Sequence, residues 1–257
     1  MDAFYEELEP GRYRSTEHTV GPWSADMQHM GPPSALLTRA LERCQPREDV
    51  ALSRVTVEVL GALAPVEVAV SAQVVRPGRT VELVGAELTA EGRPVARAWG
   101  WRLALADTAD VAGGAAAALP PPEQAEPRQA PPEWIPGYLD ALEWRWLRGH
   151  LGEHGPGTAW ARLRVALVAG EDPSPLQRLM ATADSANGIA SRLDFTRWLF
   201  LNTDLSVHLH RRPAGEWLAV DAETAIGPAG AGVCSGVLHD RSGPVGRSSQ
   251  VLTVRPR

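Results

Sequence analysis

Apolar positions along the chain change their spacing in the same order twice. Between residues 32 and 44, PPSALLTRALERC sets Leu36, Leu37, Ala40 and Leu41 at i, i+1, i+4 and i+5. That interval gathers side chains on one helical face, and the leading prolines suit a first turn. The interval then falls to two. SRVTVEVL (53–60), VEVAVSAQVVR (66–76), TVELVGAELTA (80–90) and PVARAWGWRLA (94–104) alternate, are rich in β-branched residues and are separated by the turns RPGR and AEGRP. They predict antiparallel hairpins. In the second series YLDALEWRWL (138–147) predicts a short element, TAWARLRVAL (158–167) a strand and PSPLQRLMATADSANGI (173–189) a helix. Strand spacing returns in LFLNTDLSVHLHR (199–211), EWLAVDAETA (216–225), AGVCSGVLHD (231–240) and PVGRSSQVLTVR (244–255). One long helix followed by consecutive strands is expected in each half.

Between the two series, residues 106–136 are rich in Ala, Pro, Gly and Gln and have no aliphatic periodicity before Trp134. Such a stretch reads as a partly extended linker. The expected organisation is an N-terminal unit over 1–105, a linker over 106–136 and a C-terminal unit over 137–257, and 257 residues suffice for two cores. The units also repeat residue by residue. EGRPVARAWG (91–100) lies without gaps on RSGPVGRSSQ (241–250). Strict register puts Val95 on Val245, Arg97 on Arg247 and Gly100 opposite Gln250, whereas a one-residue slip in the turn would pair Gly92 with Gly243.

Composition removes several kinds of chemistry. All 25 basic residues are arginine, so there is no amine for a Schiff base, a Ser-Lys nucleophile or a phosphate-loop lysine. A net charge of -6 argues against a nucleic-acid surface. Cys44 and Cys234 are isolated, which points to neither a disulfide framework nor a metal site and makes a reducing cytoplasm the expected compartment. No apolar run approaches the roughly 20 residues of a membrane span, and the acidic start MDAFYEELEP is unlike a signal peptide.

Local motifs offer decoys. GVCSG (232–236) has the spacing of a nucleophile elbow but runs into a strand end and a turn, not a helix. GPAGAGVCSG likewise opens no helix. The seven histidines are not at metal-ligand spacing, and His208 with His210 fit the polar face of a strand. Arg76 and Arg79 flank a Pro-Gly turn where phosphates could dock, although a solvated turn has the same composition.

ATADSANGIASRLDF (181–195) is different, because it puts a carboxylate, Asp184, at the end of an apolar helix with Asn187 and Gly188 close behind. Either Asp184 is solvated in a last turn, or it is a buried acid whose pKa is raised toward neutrality. Together HMGPPSALLTRALER, VVRPGRTVELVGAELTAEGRPVARA, DSANGI, LNTDLSVHLHRRPAGEWL and GRSSQ resemble the acyl-CoA thioesterase II family and its actinobacterial thioesterase-like relatives. The resemblance spans nearly the whole chain except the linker. It implies an α+β double hotdog, two tandem repeats each with a central helix wrapped by a bent antiparallel sheet.

It also implies hydrolysis of an acyl thioester, carried on CoA or an acyl carrier protein, by one water and without metal or redox cofactor. A homodimer or larger assembly is implied as well. The family's aspartate falls on Asp184, its Thr, Ser or Asn-type residue on Asn202 and its glutamine on Gln250. Strand alternation puts Asn202, Asp204, Ser206, His208 and His210 on one face and Thr203, Leu205, Val207 and Leu209 on the other. The apolar face should meet the helix, so Asn202 reaches the site only from a strand end or bulge, and in a regular strand Thr203 takes its place. The oxyanion would be received by a backbone amide near Gly31, beside His29, or near Gly188; Pro32 removes one such donor. Trp23 would line an acyl pocket. Two other readings share the fold: an acyl-binding protein without turnover, and a dehydratase or hydratase, for which DSANGI has the acid but neither Pro nor His.

Overall fold

Two helices pack against each other inside one long sheet that wraps both. In the computed structural model, which describes residues 2–131 and 134–257, the first half comprises β1 (Ala3–Glu9), β2 (Arg12–Ser15), α1 (Gly31–Arg43), β3 (Val50–Val59), β4 (Glu67–Arg76), β5 (Val81–Ala90) and β6 (Arg93–Ala104). The second half begins with β7 (Glu126–Pro127), β8 (Leu142–Arg148), β9 (Gly157–Leu163) and β10 (Ala166–Val168). It continues through α2 (Pro175–Ala183), α3 (Ala186–Ile189), β11 (Trp198–Asn202), β12 (Asp204–Leu209), β13 (Leu218–Ile226), β14 (Ala231–Asp240) and β15 (Gly243–Pro256). The fold is a double hotdog.

The halves join edge to edge. β3 pairs antiparallel with β12, from Asp204 opposite Glu58 to His208 opposite Arg54, so the order β2-β4-β5-β6-β3 continues as β12-β15-β14-β13-β9. The hairpins β5–β6 and β14–β15 carry a register shift at the same place, after Leu88 and Leu238, and bring Val84 opposite Gly100 and Cys234 opposite Gln250. Strict register is therefore the correct alignment, and Gly100 is the counterpart of Gln250.

The strand 199–211 is not continuous. β11 pairs with β15 as Asn202 opposite Leu252, but β12 pairs with it as Ser206 opposite Ser249, one residue out of step. A bulge at Thr203 absorbs the extra residue. Phe200 is buried before it and Leu205 and Val207 after it, so the inward set changes from even to odd numbers and Asn202 turns toward the helices. Thr203 points outward, is exposed and donates only to the Val251 carbonyl at 3.4 Å. The Asp204 carboxylate holds the bulge by accepting the Val251 N–H at 2.8 Å.

Both helices carry proline in the first turn, where a missing N–H costs nothing. The Ser174 hydroxyl caps α2 by accepting the Gln177 N–H at 3.1 Å. The buried Arg102 guanidinium closes α1 by donating to the carbonyls of Leu41, Cys44 and Gln45. The helix expected over 173–189 breaks at Asp184–Ser185, ahead of Asn187–Gly188, which lie inside the short turn α3.

Strands β1 and β2 have no counterpart in the sequence reading; only Ala3, Phe4 and Tyr5 of AFYEELE are buried, and the exposed remainder is mostly glutamate. The Ala/Pro-rich stretch 106–136 is not free along its whole length. Leu119 and Ala125 pack with Trp160, Trp217 and Ala219 on the sheet face turned away from the helices, and Trp160 Nε1 donates to the Pro120 carbonyl at 2.9 Å.

Candidate active site

Asp184 ends α2 at the point where α1 begins. It is buried, and its backbone is helical (φ -63°, ψ -19°), so its side chain projects from the last turn and not from a frayed end. Asn202 Nδ2, brought inward by the bulge, donates to Asp184 Oδ1 at 2.9 Å and to the Asp204 carbonyl at 3.2 Å. Gln250, fully buried on β15, donates from Nε2 to the Asp184 carbonyl at 3.1 Å, with Oδ1 at 3.5 Å. That carbonyl contact orients the amide, since a flipped Gln250 would set oxygen against oxygen. Gln250 Oε1 has no hydrogen-bond partner among the described residues.

On the other side His29 Nδ1 lies 3.2 Å from Asp184 Oδ2 and 3.0 Å from the Gly31 N–H, which it accepts. A ring nitrogen offers one bonding position, so the two contacts compete for it. The imidazole is stacked flat on Tyr138, with centroids 3.7 Å apart and planes at 4°. Tyr138 is fixed in turn by donating to the Ala181 carbonyl, 2.7 Å away, and by a hydroxyl contact with Ser185 of the same length.

Burial disfavours charge on both members of the contact. The Asp184 carboxyl is pushed up to about 7, and the Asn202 hydrogen bond opposes the rise. His29 is pushed down to about 3 by the same desolvation and is a neutral imidazole at physiological pH. Asp184 is thus the group that titrates near neutrality.

The carboxyl faces a cavity of about 150 Å³ whose walls include Trp23, His29, Asn187, Asn202 and Leu63. A narrow apolar recess adjoins it, lined by Trp23, Trp134, Leu139, Leu151, Phe195 and Phe200. Trp23 and Asn187 border both spaces, and Trp23 is edge-on to Phe200 at 4.7 Å.

Two family models match the chain. The acyl-CoA thioesterase N-terminal domain covers residues 19–103 and the acyl-CoA thioesterase C-terminal domain covers residues 122–254. The chain belongs to the acyl-CoA thioesterase family. It is a thioester hydrolase.

Solved structures resemble this thioesterase over nearly its full length. A conserved protein of unknown function with a hot dog fold from Alicyclobacillus acidocaldarius superposes with a TM-score of 0.77 at 14% identity, covering 99% of this chain and 97% of its own. A provisionally assigned thioesterase II from Thermobifida fusca gives 0.75 at 18% identity, over 99% and 98%. The acyl-CoA thioesterase II TesB2 from Mycobacterium marinum gives 0.65 at 18%, over 98% and 95%. At these identities the likeness establishes the fold. No curated protein matches the sequence significantly.

In the thioesterase, four of the residues singled out in the sequence meet: Asp184, Asn202, Gln250 and His29. Trp23 lies at the junction of the two spaces. Thr203 does not reach them. The backbone amides expected as oxyanion donors are engaged, Gly31 N–H by His29 and Gly188 N–H by the Ser185 carbonyl at 2.9 Å. Gly31 instead provides close packing, because a Cβ there would lie 2.5 Å from the Ala181 carbonyl of α2. Tyr138 was given no role by the sequence, and Asn187 only a place behind Asp184; Asn187 Nδ2 gives one hydrogen to the Phe200 carbonyl at 3.1 Å and has a second. The DSANGI motif held that signal for Asn187, but nothing local marked Tyr138.

The first half holds the same architecture without the polar groups. β3 has its own register shift, between Leu52 and Arg54, which places Leu52 where the second half has Asn202. A Cβ on Gly100 would lie 2.6 Å from Leu52 Cδ2 and 3.2 Å from Leu41 Cδ1. Leucine, leucine and glycine thus occupy the places of Asp184, Asn202 and Gln250.

Proposed function

We propose that the thioesterase cleaves an acyl-CoA, or the equivalent acyl carrier protein thioester, by a water activated at Asp184. The observation that carries this reading is the convergence of Asn202 and Gln250 on one buried carboxyl pushed up to about 7. Gln250 Nε2 lies 3.5 Å from Asp184 Oδ1 and its Oε1 is left without a partner, so that oxygen and the carboxylate offer two acceptors for one water, with an oxygen lone pair free. A general base works best with a pKa near the operating pH. The water oxygen attacks the thioester carbonyl carbon while its proton passes to Asp184. The second amide hydrogen of Asn187 is the donor offered to the developing oxyanion. Collapse breaks the C–S bond, and Asp184 returns the proton to the leaving thiolate, leaving acid and thiol. His29, neutral and clamped on Tyr138, has Nδ1 as an acceptor and so can take a hydrogen bond from Asp184 Oδ2 only when that acid is protonated, in competition with the Gly31 N–H. The apolar recess takes the start of the acyl chain.

The test is free-thiol release from a panel of short, medium, long and branched acyl-CoAs. Gln250→Leu removes the water's acceptor and keeps the volume, and a fall in kcat of a hundredfold or so is expected, with KM little changed. Equal kcat in the variant and the wild type would overturn the role given to Gln250.

A further inference from the structure

A second cleft, about 220 Å³ in volume, is related to the catalytic one by the internal repeat. The catalytic cleft is walled by the start of α1, the end of α2 and the bulged end of β11. The second is walled by the start of α2 (Ser174, Pro175), the end of α1 (Glu42) and the bulged start of β3 (Leu52). Its chemistry differs in two respects. Leu41, Leu52 and Gly100 take the places of the water-holding groups, so nothing there activates a water. Glu42 does not replace them: the Ser174 hydroxyl lies 2.8 and 3.0 Å from its two oxygens and Gln177 Nε2 donates at 2.6 Å. That carboxyl is tied to the N-terminus of α2, where burial pushes its pKa up and the hydrogen bonds from Gln177 and Ser174 oppose the rise.

The walls of the second cleft also carry arginine, which the lining of the catalytic cavity lacks. The catalytic cavity has one carboxylate and no arginine along its lining, whereas the second has Arg47, Arg102 and Arg212 against Glu42. Arg47 and Arg102 are matched by Asp49 and Glu82. Arg212, exposed at the mouth, donates to the Val50 carbonyl at 2.8 Å and has no carboxylate partner among the described residues. With Glu42 held by Ser174 and Gln177, the exposed Arg212 guanidinium is the unpaired charge at the cleft mouth and the group that can meet an anion.

We propose that this second cleft binds the phosphate-bearing thiol carrier, CoA free or acylated, without cleaving it, with Arg212 meeting a phosphate. The idea rests on the thioester reading of the first cleft, since the repeat gives both clefts one ancestral ligand shape. The volume admits one arm of such a ligand, with the nucleotide lying outside on the arginine.

Calorimetric titration with CoA tests it on the whole chain. Two CoA per chain are expected for the wild type. Arg212→Glu should weaken one of the two by tenfold or more, and Arg212→Lys should retain both. One CoA per chain, unaffected by Arg212→Glu, overturns the second site and leaves the hydrolase reading intact if thiol release proceeds. Two sites that both ignore Arg212→Glu overturn the assignment to this cleft. No CoA bound and no thiol released overturns both readings together. Pantetheine 4′-phosphate as a second titrant separates the sources: binding equal to that of CoA assigns the site to the arm that CoA and carrier proteins share, and much weaker binding assigns it to CoA.

Discussion

Replacing Asp184 with asparagine should make the protein more stable and nearly inactive, and the gain in stability should depend on pH. The substitution keeps the size of the side chain and leaves an oxygen to accept from Asn202, while its amide nitrogen can face His29 Nδ1. Burial raises the Asp184 carboxyl from its ordinary value near 4 to about 7. Because the folded-state pKa is raised, the fold holds a proton that the unfolded chain has already released between those values. Wild-type stability therefore falls as pH rises from about 4 to about 7, and the loss is complete above pH 7. Such a displacement corresponds to at most about 4 kcal/mol. The asparagine variant escapes this loss, so its advantage should be near zero at pH 4 and should reach about 2–4 kcal/mol at pH 8. Thermal unfolding of both proteins at pH 4, 6 and 8 reads this directly. In parallel, wild-type kcat/KM should rise with pH to a plateau above about 7, and the variant should lose a hundredfold or more in kcat. A variant less stable than wild type at pH 8, or an advantage that does not change with pH, would refute the claim that a desolvated carboxyl sits at the centre of the site.

Three further outcomes follow from the same geometry. Asn202→Leu removes the hydrogen bond that holds the Asp184 pKa down, so kcat should fall tenfold or more and the midpoint of the pH–rate profile should move to higher pH. Thr203→Val, one residue away but outside the site, should change kcat less than twofold. Gly31→Ala forces a methyl to 2.5 Å from the Ala181 carbonyl and should cost about 1–3 kcal/mol by overpacking, seen as a lower Tm at every pH.

The four strands after each helix were legible because alternation and turn residues agree there, and α1 because its apolar interval is uninterrupted, whereas the one strand expected over 158–167 is divided into β9 and β10, the latter pairing in parallel with β1. Gln250 was legible only through the repeat, which set it against Gly100; taken alone it is a polar residue in a last strand. The choice between Asn202 and Thr203 needed the structure. Alternation assumes a constant period, and a single extra residue at position 203 reverses which parity faces inward. That the Gly31 amide already has an acceptor was hidden for another reason. A glycine at a helix start looks like a free amide until the side chain two residues earlier is seen to accept it, and that contact depends on Tyr138 reaching His29 across more than a hundred residues of chain. Strand β1, which lies between β10 and β2, was hidden by its charges, since only its first three residues are buried.

The pairing of β3 with β12 has a consequence for how this protein can evolve. An assembly of two identical halves is bound by its symmetry: any codon change that strips an acid from one cleft strips it from the other. Here the two halves are written separately into one gene while their backbones remain locked in a single sheet. Position 250 can be held by selection for turnover while position 100 drifts, and a substitution that would be lethal in a symmetric pair becomes an experiment carried out in one half only. The covalent join thus gives the lineage two inheritances of one shape, free to diverge under different demands.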